Sequence, residues 1–188
     1  MLTEEFPDEK VLVYLKAHER QQSRQAEKAD QQDISKGYAL INGEKTIFTW
    51  LGLSNSTATV LRPEKFSLKV DGIADGQTTE LSNHNQDIRL LFKLLLKPQD
   101  GVQERILEQM KNSAPSPVQM ISQETEQAHV KYVEFAESIG HEVSNYRLEF
   151  SKYFPADAVL VQGSFICAEY RVNDWQEIFY QIMDSVKA

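Results

Sequence analysis

Four histidines, one cysteine and a small set of carboxylates are the side chains here with the chemistry to hold a metal, move a proton near neutrality or attack an electrophile. His18, His84, His129 and His141 form neither an HExxH pair nor a His-x-His ligand set, so their spacing predicts no metal site. On a helix and turn, His129 and His141 would stand about 15 Å or more apart, too far to share one ion. Each reads as an ordinary surface or boundary histidine. Cys167 lies among Phe165, Ile166 and Ala168 without a basic neighbour to lower its pKa, and is expected to pack as a small hydrophobe rather than act as a nucleophile. Asp71, Asp75 and Glu80 carry enough charge for a divalent cation, but both aspartates precede glycine, where turn formation accounts for them. His84, between Asn83 and Asn85, is the group best placed to bind or protonate an anionic ligand, although capping of backbone N–H groups explains the asparagines more simply.

Contiguous catalytic signatures are missing from the sequence. There is no GxxxxGK[ST] and no GxGxxG, and Gln162-Gly163-Ser164-Phe165 lacks the second glycine of a nucleophile elbow. No cofactor is expected, and no catalytic or metal-ligating residue is assigned. Because many active sites have no contiguous signature, this argues against catalysis only in part.

The residues that could do chemistry must be held by the stretch from Gly37 to Ser82, which has five short runs of strand character. Tyr38 to Ile41 and Glu44 to Leu51 flank Asn42-Gly43, a pair suited to the positive φ angles of a type I′ turn, and predict a hairpin. Thr57 to Leu61 follows, and Pro63 ends it. Phe66 to Ala74 alternates Phe66, Leu68 and Val70 with Ser67, Lys69 and Asp71, as a half-buried strand does. Asp75-Gly76 then turns the chain into Gln77 to Leu81. The short links predict an antiparallel β-meander over residues 37–82 with helices packed on one face.

Helices are expected on both sides of this meander. Asp8 to about Ser35 reads as helical, with Val11, Leu12 and Leu15 on a short apolar face followed by a polar arm from His18 to Asp33. Within the arm Lys16, Arg20, Arg24 and Lys28 recur every four residues and share one stripe, a candidate contact for an acidic partner. Gln86 to Lys97 is expected to be a leucine-rich helix, with Arg89, Lys93 and Lys97 on a narrow stripe and apolar side chains over the remaining arc of about 240°. Leu90 and Leu94 on that arc are candidate contacts for another chain. A second helix carries Val102, Ile106, Leu107 and Met110, and a third, over 122–139, carries Ala128, Tyr132, Phe135, Ala136 and Ile139.

Ala114-Pro115-Ser116-Pro117 marks a boundary, dividing the chain into an N-terminal helix and arm (1–36), a meander with a helical hairpin (37–113) and a C-terminal α/β portion (118–188) that can share the same core. In that portion His141 to Phe154 leans towards strand. Ala158 to Val172 reads as a central strand with Gly163 as a bulge, and Asn173 with Gln176 as a capping box opens a final amphipathic helix.

A chain of 188 residues with a formal charge of −8 is large enough for a core and disfavours nonspecific attraction to phosphate backbones, so nucleic acid is not an expected partner. The lone cysteine fits a reducing compartment, the acidic start has no secretory character, and Ile88 to Leu96 falls short of the roughly 20 apolar residues of a membrane helix. Together these features predict an α+β protein that is cytoplasmic and nonenzymatic, an interaction module such as an adaptor, inhibitor or chaperone-like protein, binding a protein partner or itself. The alternative is a small-molecule enzyme with a site dispersed around the sheet edge and the helix start near Gln86. If the arm serves a partner and not the core, replacing Arg20, Arg24 and Lys28 with glutamine will leave the melting temperature unchanged and reduce recovery of bound protein.

Overall fold

The computed structural model describes residues 33–53, 56–73, 76–99, 101–114, 120–125, 127–139 and 143–188. The basic stripe Lys16, Arg20, Arg24 and Lys28 lies outside them. From residue 33 onward the chain makes a 3-10 turn (Ile34–Lys36) and three strands, β1 (Tyr38–Ile41), β2 (Glu44–Gly52) and β3 (Thr59–Pro63), which form one antiparallel sheet. Asn42 and Gly43 take φ of 54° and 76°, the left-handed geometry expected of the β1–β2 turn.

A second sheet has seven strands: β4 (Ser67–Ile73), β5 (Gly76–Ser82), β6 (Ile88–Leu96), β7 (Ile121–Glu124), β8 (His129–Ile139), β9 (Val143–Phe154) and β10 (Val159–Ala168). Its order is β4-β5-β6-β10-β9-β8-β7, and every pairing is antiparallel. The last strand in sequence thus sits between β6 and β9, so residues before and after 115 build one sheet. Among the described residues there are two α-helices, α1 (Val102–Ser113) and α2 (Val172–Ser185), the latter entered through a 3-10 turn at Glu169–Arg171.

Three helix expectations are corrected. Gln86 to Lys97 is not a leucine-rich helix but strand β6, preceded by a hairpin loop. Its inner face is Ile88, Leu90, Phe92 and Leu94, while Leu95 on the opposite face packs against the α1 cluster. A strand with apolar residues on both faces, here Leu91 and Leu95 half-buried on the outer one, loses the period of two from its sequence, and its apolar residues crowd into something that reads as helical. The same cause explains 122–139, which is β7 and β8: Val130 and Tyr132 face one core, Val133 and Phe135 the other. The helices are not on one face either, because α1 packs on the side of Val133, Phe135 and Leu160, whereas α2 covers the side of Leu148, Phe150 and Phe165.

Two local details differ as well. No capping box opens α2; Arg171 occupies the cap position without a side-chain capping bond, and Gln176 points instead to Glu134. Gly163 is not a bulge, since the register runs unbroken through it, with Phe92 opposite on β6 and Phe150 opposite on β9. A Cβ at Gly163 would lie 2.0 Å from Cε1 of Phe150. The glycine therefore makes the space in which that ring lies, and the ring meets Phe165 edge-on with centroids 5.2 Å apart. Phe92, Phe165 and Phe179 continue the aromatic layer up to α2. Gly163→Ala is expected to lower stability by about 1–3 kcal/mol through overpacking, read as a lower denaturant midpoint with an unchanged slope.

Candidate functional site

Charged and hydroxylic side chains come together at three places inside or beside the core. The first is at Glu134, on the inner face of β8. Its Oε2 accepts hydrogen bonds from Tyr146 Oη of β9 at 2.7 Å, from Gln176 Nε2 of α2 at 3.2 Å, and from Tyr180 Oη of α2. Burial, with the Glu134 carboxylate beside them, pushes the Tyr146 and Tyr180 phenols well above their usual range. A carboxylate accepting three bonds from protonated partners is a fastening between sheet and helix, with no proton poised to leave near neutral pH.

The second place is Lys152 on β9, a buried lysine whose Nζ donates to the carbonyl oxygens of Met183 at 3.3 Å and Asp184 at 3.0 Å. Both carbonyls belong to the last turn of α2, where Met183 O also accepts the Val186 N–H at 3.3 Å, and the ammonium sits at the negative end of the helix. Burial lowers the pKa of Lys152, with Asp184 partly opposing the shift.

The third is the β5–β6 loop. The Asn83 side chain accepts the Ile88 N–H at 3.1 Å and donates to Asp87, and Asp87 Oδ2 accepts from Tyr170 Oη at 2.5 Å and Arg171 Nε at 3.1 Å. Burial works to raise the Asp87 carboxyl, but the bonds from Tyr170, Asn83 and Arg171 outweigh it and hold the group below its ordinary value. Asn83 is thus occupied in shaping a hairpin loop in which Gln86 has φ of 57°, and the dispersed site imagined around a helix start near Gln86 loses its helix. His84 and Asn85 are exposed in that loop.

The remaining sequence candidates do not converge. His129 stacks on Tyr153 and lies 4.0 Å from Glu124, whereas His18 and His141 fall outside the described residues. Asp71 pairs with Lys69 at 2.8 Å, and Glu80 is opposite Lys69 on β5. Among the described residues no three His, Cys, Asp or Glu gather as a metal would require. Cys167 is fully buried between Ile88 and Tyr146, and burial foremost, then the Asp87 charge, pushes its thiol up to about 12. Leu90 and Leu94 are 0% and 6% exposed on the inner face, inside the core rather than on a surface.

Besides Trp50, Leu96 and Tyr170, the described residues leave large apolar side chains exposed in two groups. On the β1–β2 hairpin Tyr38 pairs with Ile47 and Leu40 with Lys45, all on the face turned away from the core. Tyr38, Leu40 and Ile47 are 41%, 41% and 46% exposed, and the Lys45 ammonium stands 4.6 Å over the Tyr38 ring. Leu68 and Val70 are exposed on β4, the first strand of the seven. Sequence reading predicted the hairpin but assigned neither of its faces, and so missed the exposed one. The signal was available, since Ala39 and Ile41 alternate with Tyr38 and Leu40, leaving apolar residues on both sides of a two-sided strand.

No protein-family model matches the chain, and no curated protein matches it. Among solved structures it is similar to the Ran-binding protein Mog1p of Saccharomyces cerevisiae, with 8% identity over 76% of this chain and 95% of that one and a TM-score of 0.52. It is also similar to cyanobacterial PsbP from Synechocystis, with 12% identity over 75% of this chain and 92% of that one and a TM-score of 0.54. At such identities the likeness is one of fold: a largely antiparallel α+β architecture with two helices. No described helix is long and apolar enough to cross a membrane.

The buried groups make a solution prediction. In the native protein a thiol reagent at pH 8 will label Cys167 only at the rate of unfolding, and immediate labelling would contradict its placement. The unfolded thiol ionises near 9.0 while the folded one holds its proton to about 12. The folded state therefore binds more protons across that window, and stability will fall as pH rises through it, with Tyr146 and Tyr180 adding in the same direction.

Proposed function

We propose that this protein is a nonenzymatic, cytoplasmic protein-interaction module, and that the outer face of the β1–β2 hairpin is where its partner sits. The observation that carries this reading is the cluster of Tyr38, Leu40 and Ile47, large apolar side chains held half-exposed side by side. Single exposed apolar residues are ordinary, but a contiguous group on a rigid strand pair is the composition of an interface centre. Rigidity comes from beneath, because Ala39, Ile41 and Phe48 of the same hairpin are buried in the core. An aromatic ring with a lysine over it and two aliphatic neighbours suits a partner surface with an apolar centre and an acidic rim facing Lys45.

Two further considerations support the reading. The ionisable groups that catalysis would need are, where they are buried, tied into fastenings. A neighbour of the same fold is itself a Ran-binding protein, so the architecture is compatible with a protein partner. The basic stripe of the N-terminal arm supplies a second contact of the same charge preference as Lys45.

Replacing Ile47 with glutamate places a charge at the centre of the face and touches nothing in the core. The expected outcome is an unchanged melting temperature together with a loss of about tenfold or more in affinity for the partner that the wild-type protein recovers, measured by calorimetry with both components purified. Equal affinity of the wild-type and Ile47→Glu proteins would place the interface elsewhere.

A further inference from the structure

Strand β4 ends the larger sheet, and among the described residues nothing pairs with its outer edge. Half of its backbone N–H and C=O groups face outward, an arrangement that natural proteins ordinarily blunt or cover. Here, among the described residues, the edge is uncovered and its charges come in opposite signs: residues 67–72 are all exposed, and Leu68 and Val70, at 45% each, lie on the same face as buried Leu81 and Thr79 of β5. Lys69 and Asp71 occupy the opposite face, 2.8 Å from one another.

We infer that β4 pairs with β4 of a second copy of this chain, antiparallel about a two-fold axis at Val70, joining two seven-stranded sheets edge to edge. The argument is the order of residues along the strand. In this register Lys69 stands opposite Asp71 of the second copy, and Asp71 opposite its Lys69, so two cross-strand ion pairs form on one face. On the other face the two Val70 side chains meet, and each Leu68 lies over Gly72 of the other copy, where no side chain stands in its way.

Other registers are rejected by the same residues. A slip of one residue turns Leu68 and Val70 to the charged face. A slip of two in either direction brings Lys69 against Lys69 or Asp71 against Asp71, and parallel in-register pairing does both. One register alone satisfies the charges and the apolar side chains together, which distinguishes this edge from a merely unprotected one. The pairing is isologous and closed, so it yields a dimer and leaves no further β4 edge to propagate. It also gives self-association a different address from Leu90 and Leu94, which are interior. The edge belongs to a different sheet from the hairpin face proposed above, so either surface can fail without the other.

The test is a charge exchange read by analytical ultracentrifugation of the full chain. Wild type is expected to show a concentration-dependent monomer–dimer equilibrium. Lys69→Asp sets two carboxylates against each other across the two-fold axis, and Asp71→Lys sets two ammonium groups against each other. Each substitution alone is expected to weaken self-association about tenfold or more. An equimolar mixture of the two variants restores opposite charges at both positions. The mixed pair carries the same total formal charge as the wild-type pair, so recovery reports the local contacts and not the overall repulsion. Unchanged circular dichroism will show that these exposed substitutions leave the fold alone. Overturning results are a wild type that stays monomeric at hundreds of micromolar, single variants that associate as wild type does, or a mixture that fails to recover.

Discussion

The Phe150 ring lies across the backbone of β10 at the one position where that strand has no side chain, and the central part of the molecule is arranged around this contact. Phe165 and Phe92 meet edge to face beside it, and Phe165 passes the layer on to Phe179 of α2. Large rings from three adjacent strands can share one level of a sheet only if a fourth position gives way. Gly163 is that position, and because it is paired with both β6 and β9, the accommodation is made at the centre of the sheet rather than at a rim where a side chain could swing aside.

Above this layer α2 is located by polar contacts at points where apolar packing alone would let it slide. Glu134 holds its middle through Gln176 and Tyr180, Lys152 holds its last carbonyls, and Asp87 holds the turn before it through Arg171. Hydrophobic burial is nondirectional, whereas a carboxylate that must satisfy several donors accepts few placements of the helix. The same contacts engage Glu134, Lys152 and Asp87, whose hydrogen-bonding capacity goes into fixing position.

How much of this can be read from the residues depends on how local the cause is. The β1–β2 hairpin follows from Asn42-Gly43 and β4 from its alternation, while α1, β9, β10 and α2 follow from patterns contained within themselves. Strands β6 and β8 were misread because what determines their conformation is nonlocal: Leu95 and Phe135 are apolar on account of α1, which packs on the far face of the sheet. A one-dimensional pattern cannot tell a strand with two cores from a helix with one broad apolar arc. The polar fastenings were invisible for a related reason, since Glu134, Tyr146, Gln176 and Tyr180 have no characteristic spacing and meet only once their three elements are in place. The burial of Cys167, by contrast, was legible from its neighbours alone.

The place of β10 between β6 and β9 has a consequence for how the chain is made. Synthesis delivers β4, β5 and β6 early, then β7, β8 and β9, each set able to zip up as hairpins within itself. Neither has its neighbour until Val159 and the residues beyond it leave the ribosome. For that interval the nascent protein is two half-sheets, with the edges of β6 and β9 open and the aromatic faces unroofed, since α2 comes later still. A chain interrupted before β10 would be two sticky fragments on one thread rather than a smaller edition of the fold. Joining β6 to β10 also closes the long connection from Leu96 to Val159, an entropic cost that neither half-sheet bears while it pairs only within itself.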